Sequence, residues 1–195
     1  MLTFQDHPGL FAQGETIPDA VARGAKGRVR SQPSGRIPSL RDLLLTADLV
    51  VRGTVADPSS YLSDDKRDVY TDHVLTNTTV LYRSVIPSSP QPGPPTPIIV
   101  TQLGGSIPVG GITFTQQEMG LPQIQRGTEG LFVAVHKDGK FHVAGTFLGA
   151  FQISGGLFTP LTGRKDFAAE LRDVPVATAL ANIQASLQEL RKPNQ

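Results

Sequence analysis

Four histidines, His7, His73, His136 and His142, are the side chains of this 195-residue sequence best suited to hold a metal or move a proton near neutral pH. The chain has no cysteine, which excludes a disulfide framework and thiolate metal sites. Asp72 stands beside His73, but consecutive residues of a strand point to opposite faces. His136 and His142 flank an Asp138-Gly139 turn, whose register sends the two rings to opposite sides of a hairpin. A metal centre would therefore need three scattered ligands to converge. Asp64 and Asp65 lie in a polar turn with Lys66, Arg67 and Asp68, without the alternating oxygens and closing glycine of a calcium loop. The sequence contains no G-x-S-x-G elbow, P-loop, H-E-x-x-H or dinucleotide fingerprint. The expectation is no catalytic residue, no metal and no cofactor. The enzymatic alternative is a hydrolase using the dispersed residues His73, Asp72 and His142: a deep pocket joining them would favour it, and their separation would sink it.

Binding is the other chemistry to weigh. Eighteen basic and seventeen acidic residues leave a formal charge of +1, without the excess that marks a dedicated nucleic-acid binder. Tyr61, Tyr70 and Tyr82 are the only tyrosines and tryptophan is absent, while Arg52, Arg67, Arg83 and Arg126 are dispersed. Stacking of bases over a basic groove is therefore not expected; rim or core tyrosines explain these residues. Candidate contact residues are those of the glycine-rich loops, Gly104 and Gly105, Gly110 and Gly111, with Gln116 and Gln117, because loops on a rigid scaffold often carry binding. Ordinary turns explain the same residues. The Asn77-Thr78-Thr79 glycosylation pattern falls inside an expected strand and reads as chance.

The elements that must position these residues are mostly strands. Leu131 to Ile153 reads as a long hairpin turning at Asp138-Gly139, with Lys137 opposite Lys140 and Val135 opposite His142. One face carries Phe132, Ala134, Phe141, Val143 and Phe147, the other Leu131, Val133, Val135, Ala144 and Leu148. Two apolar faces place the hairpin inside a barrel or under a covering helix. Further strands are expected from Leu49 to about Ala56, with a bulge at Gly53, from Val69 to Tyr82, from Pro97 to Leu103, and at Leu157 to Leu161 after the Gly155-Gly156 turn. Residues 57–68 read as a polar connection, 84–97 as a stiff proline-rich loop, and 106–130 as irregular with one short strand or helical turn. Ser39 caps a short helix with Leu40, Leu43 and Leu44 on its buried side. A C-terminal helix, with Asp173 as N-cap and Pro175 in its first turn, presents Val176, Leu180, Ile183, Leu187 and Leu190 as one stripe. That stripe packs on the barrel or forms a weak homodimer seam.

The expected fold is thus mainly β: a five-stranded antiparallel barrel at 38–163, preceded by an extended or flexible arm at 1–37 and followed by a helical segment at 164–195. Arg23, Lys26, Arg28, Arg30 and Arg36 give the arm a basic character, suited to an anionic partner or to plain solvation.

The strings ADLVVRGTV, VYTDHVLTNTTVLYRS, IIVTQLGG, RGTEGLFVAV and FHVAGTFLGAFQI, in this order over about residues 39–160, resemble a recurring module of bacterial exported proteins. That module is similar to the oligosaccharide/oligonucleotide-binding (OB) barrel of tissue inhibitors of metalloproteinases and netrin domains. The resemblance implies an OB-like barrel and an extracytoplasmic setting, periplasmic or secreted. Inhibitors of that type chelate the protease zinc through an N-terminal cysteine, and this chain has none. No apolar run is long enough for a membrane span, and MLTFQDHPGLFAQG does not read as a signal peptide. The expected function is a non-enzymatic interaction module of the bacterial cell envelope or exterior, with protein as partner. The alternative is an accessory subunit of a larger assembly that wraps its partner with the arm.

Overall fold

The computed structural model describes residues 14–30, 39–84, 97–118, 122–145, 148–162 and 167–191. The proline-rich stretch 85–96, His7, Arg36, Phe147 and the expected domain boundaries near 37 and 163 lie outside these residues. The fold is mainly β. Its centre is a nearly closed ring of five strands: β2 (Leu49–Leu62), β3 (Val69–Arg83), β4 (Ile98–Leu103), β8 (Lys140–Val143) and β7 (Glu129–Lys137), which returns to β2. The expected all-antiparallel arrangement is corrected at one point. Strands that alternate in direction cannot close a ring of five, because five is odd, so one neighbouring pair must be parallel. That pair is β4 and β8, with Val100 opposite Phe141 and Thr101 opposite His142.

The hairpin register set by Asp138-Gly139 is as the turn chemistry dictates: Lys137 faces Lys140 and Val135 faces His142. Both turn residues have positive φ, 51° and 78°, as a type I′ turn requires. The return arm is broken. Ala144 and Gly149 both bond to Val133, its carbonyl accepting from Ala144 and its amide donating to Gly149, and pairing with β7 resumes as β9 (Ala150–Ser154). Across the Gly155-Gly156 turn, β9 pairs with β10 (Leu157–Pro160), and β10 with the two-residue β11 (Val174–Pro175).

Both faces of the hairpin are buried, each for its own reason. Leu49, Val51, Val55, Val100, Phe132, Ala134 and Val143 fill the inside of the ring. Val50, Leu131, Val133, Ala144 and Leu148 lie outside it, under α2 (Leu40–Thr46) and α3 (Val176–Leu190). Each of the valine, leucine and phenylalanine side chains contributes about 1.5–3 kcal/mol on burial, and each alanine less. Ser39 closes a full capping box with Asp42 on α2. Within α3, Ala179, Ile183 and Leu187 are buried and Val176, Leu180 and Leu190 pack partly against the same core. The stripe is therefore used inside the chain. The N-cap is Pro175, which makes no side-chain cap; Asp173 adopts φ 58° and instead accepts from the Thr159 hydroxyl.

Three further expectations are corrected. Residues 57–62 extend β2 and pair with β3, because the register shift between Val55 and Pro58 lets a proline-containing segment rejoin the ladder. The stretch expected to be irregular forms a second hairpin, β5 (Gly105–Val109) and β6 (Ile112–Glu118), turning at Gly110-Gly111. The described part of the arm is helix α1 (Ile17–Ala22) and strand β1 (Gly27–Arg30), the latter parallel to β6. Low apolar content concealed this, since Ile17, Ala20 and Ala25, with Val21 partly buried beside them, seat it on Val69, Ile107 and Phe114. At Gly53 the expected bulge is present: pairing jumps from Arg52–Thr79 to Thr54–Thr76, and Asn77 takes up φ 50°.

Candidate functional site

The β2–β3 hairpin continues past the ring, and its register puts Tyr61 opposite Tyr70 and Ser59 opposite Asp72. Alternation turns Tyr70 and Asp72 to the outer face, while Val69, Thr71 and His73 are buried on the other. Across β3 and β4, Tyr70 pairs with Leu103 and Asp72 with Thr101; Thr101 then lies beside His142 on β8, which faces Val135 on β7. Strand pairing alone thus lines up Tyr61, Tyr70, Leu103, Thr101, His142 and Val135 along one surface. The turn at 63–68 and the Asp138-Gly139 turn wall this surface, and the result is a groove of about 630 Å³.

The floor of the groove is held by one hydrogen-bond network. Asp72 accepts from the Thr101 hydroxyl at 2.6 Å, from Tyr61 at 3.1 Å and from the Lys140 ammonium at 2.9 Å, and Lys140 also donates to the Tyr61 oxygen at 2.7 Å. Burial opposes the charge on Asp72, but these bonds and the adjacent ammonium outweigh it and hold the carboxyl below its usual range. Burial also works against the charge on Lys140; its bonds to Tyr61 and Asp72 prevail and raise its pKa. The ammonium lies 4.1 Å from the centre of the Tyr61 ring. Tyr61 and Tyr70 are 6.1 Å apart between ring centres, and His142 meets Tyr70 edge-on at 5.8 Å. Burial and the Lys137 charge push the His142 imidazole down, against the pull of Asp138 and Asp72.

The turn at 63–68 is organised by Ser63, whose hydroxyl accepts from the Arg67 and Asp68 amides and donates to Asp65 at 2.6 Å. That bond, with the Arg67 amide, keeps the Asp65 carboxyl below its usual range. Asp68 is held by Arg28 of β1 at 2.6 Å.

The three residues of the hydrolase alternative do not converge. Asp72 and His142 belong to the outer surface, whereas His73 is 1% exposed on the opposite face of β3 and lines a different cavity of about 130 Å³. The Gln102 amide, oriented by the Pro122 carbonyl and the Ile124 amide, presents its oxygen to His73 Nε2 at 3.2 Å, so Nε2 carries the proton. Nδ1 is buried without a partner among the described residues. His136, on the face opposite His142, packs on Phe141. Among the described residues no three of histidine, aspartate or glutamate are grouped to hold a metal.

The glycine-rich candidates are placed away from this groove. Gly104 and Gly105 are buried at the corner between β4 and β5, where a Cβ on Gly105 would collide with the Thr71 and Ser60 hydroxyls. Gln116 is fully buried and its side-chain oxygen accepts from Arg28 and from the Val69 amide, tying β6 to β3. Gly104, Gly105 and Gln116 are thus buried, whatever binding they take part in. Gly110 and Gly111 form an exposed turn, and Gln117 is exposed on β6.

Sequence reading missed the groove because Tyr61 was assigned to a connection and not to a strand. Part of the signal was available: Tyr70 and Asp72 share one parity of their strand and Lys140 and His142 one parity of theirs, but only the β4–β8 pairing brings the two pairs to one surface. The chain matches no protein-family model and no curated protein sequence.

Proposed function

We propose that this protein is a non-enzymatic binding module of the bacterial cell envelope or exterior, built on an OB-type barrel, and that the groove between the 63–68 and 138–139 turns is its binding site. The observation that carries the reading is the position of the groove. It lies on the outer face of the ring where β2, β3 and β4 meet β8 and β7, between the turns joining β2 to β3 and β7 to β8, the loops that barrels of this type use for ligands. The ring order and its single parallel closure support the OB assignment, and the envelope setting rests on the sequence resemblance. The hydrogen bonds that occupy Asp72, and the burial of His73 behind the sheet, favour binding over hydrolysis.

The test is an amide-resonance titration of the whole chain with a soluble digest of bacterial cell envelope. Shifts confined to residues 61–72, 101–103 and 137–145 are expected. Shifts centred on Gly110-Gly111, or none, would overturn the assignment of the groove.

A further inference from the structure

Behind the sheet, away from the groove, we propose that residues 122–126 form a flap over one end of the ring that acid opens, with His73 as its latch. The segment is neither helix nor strand. Its C-terminal side is fixed to β2, where the Gly127 amide donates to the Val55 carbonyl at 2.8 Å and the Val55 amide to the Thr128 carbonyl at 2.9 Å. Gly127 itself, at φ 81° with open space where a Cβ would stand, is the natural hinge. Three ties hold the segment down beyond it. Ile124 is buried in the ring interior with Val55 and Leu75. The Gln102 side chain accepts from the Ile124 amide at 3.4 Å and donates to the Pro122 carbonyl at 3.5 Å. Arg126 pairs with Asp57 at 3.5 Å, but both are exposed and such a pair adds little.

His73 sets the Gln102 clamp, since its Nε2 proton holds the amide oxygen at 3.2 Å. The arrangement suits a neutral imidazole and fails a charged one. Nδ1 is sealed from solvent and has no partner among the described residues, so a second proton there would be a buried cationic donor with nothing to accept it. The elements packed around the ring offer no counter-charge: Ser60 of β2, Gln102 of β4, Ser106 of β5 and Gln123 of the segment line the cavity, and none of its lining residues besides His73 ionises. Asp72, next in the chain, belongs to the outer surface and is engaged by Thr101, Tyr61 and Lys140. Burial disfavours the His73 cation more than the Gln102 bond and the Asp72 charge favour it.

Lifting the segment relieves the charged ring. Gln123 and Gln125 line the cavity and reach solvent, so a swing of 122–126 about Gly127 admits water to Nδ1 without breaking a strand pairing. It also withdraws Ile124 from the ring and leaves an apolar opening beside Val55 and Leu75. The device thus covers that opening at neutral pH and uncovers it in acid. The open form takes up its proton at the ordinary value of 6.5 and the closed form only below it. Closure is therefore at full strength above about pH 6.5 and weakens about tenfold per pH unit from there towards the closed-form value.

The experiment is native-state hydrogen exchange of the full chain from about pH 7.5 to about pH 5, each amide's rate being divided by its unstructured rate at the same pH. Protection of the Ile124 amide is expected to be lower than that of ring amides such as Val51 and Phe132 and indifferent to low urea. Below about pH 6.5 it is expected to fall about tenfold per pH unit. In His73→Met that fall is expected to vanish, whereas His142→Ala, altered on the outer surface, should retain it. Should the methionine variant fold poorly, Gln102→Glu sets a counter-charge beside Nε2 and should move the fall to lower pH. Ile124 protection that matches the ring amides and shrinks with urea as theirs does would mean that the segment opens only with the whole fold, and would overturn the flap. So would an Ile124 amide unprotected even at neutral pH. Local opening that is indifferent to pH, or that keeps its full acid sensitivity in His73→Met, would overturn His73 as the latch and with it the proposal.

Discussion

His73 shows how one strand position can be chemically conspicuous and still have no part in the groove. It is a neutral imidazole sealed behind the sheet, and burial, against the Gln102 hydrogen bond and the charge of Asp72, depresses its pKa below the usual 6.5. The unfolded chain therefore takes up this proton more readily than the native one. The contribution to stability is complete above about pH 6.5 and is lost as pH falls from there towards the native value. Asp72 adds its own loss only below the ordinary carboxylate value of 3.8, since its native pKa is lowered. Urea-unfolding midpoints should accordingly decline on acidification of the wild type in two stages. In His73→Met the first stage should shrink to the part owed to His142, whose imidazole is also pushed down, and an unchanged slope would show that His73 does not contribute.

Among the elements, α2 buries Leu43 and Leu44 of its seven residues, and its C-terminal end depends on a residue far away in sequence. The Arg191 guanidinium lies 4.2 Å from the Tyr82 ring centre and donates to the carbonyls of Leu44 and Ala47 at 3.0 and 3.1 Å. It thereby satisfies acceptors that the last turn of a helix leaves open, with a positive charge at the favoured end. Removing it by Arg191→Met should cost about 1–2 kcal/mol in denaturant unfolding. Hydrogen exchange should quicken most at residues 44–47 and at the end of α3; uniform acceleration would mean that the arginine does not act locally. The same logic separates the two glycine turns. Asp138-Gly139 fixes which residues face the groove, whereas Gly110-Gly111 only reverses β5 into β6.

At the scale of the whole molecule, three cores meet along one hairpin: the ring interior, the layer under α2 and α3, and the smaller cluster where α1 rests on Val69, Ile107 and Phe114. The third decides how residues 14–30 belong to the fold. Ile17 has no exposed surface, so Ile17→Ala should cost about 2–4 kcal/mol if the segment folds with the rest in one transition. A loss near zero, measured by denaturant titration, would restore the picture of a detached arm. Arg28 links this layer to the groove, since it bonds both Gln116 and Asp68, one of the groove's walls.

The sequence by itself determined what short-range chemistry controls. The Asp-Gly turn set the pairing of β7 with β8, period-two alternation set the two buried faces, and Ser39 with Asp42 set the start of α2. The bulge at Gly53 followed from a residue that weakens a strand. Only the tertiary structure decided what depends on partners distant along the chain. The parallel pairing of β4 with β8, which brings Thr101 beside His142, follows from ring closure and leaves no local mark. The strand character of residues 57–62 comes from the β3 ladder, against the propensity of proline and serine. Gln116 became a buried clamp, and Tyr61 a wall of the groove, because alternation states which residues share a face but not what will cover that face.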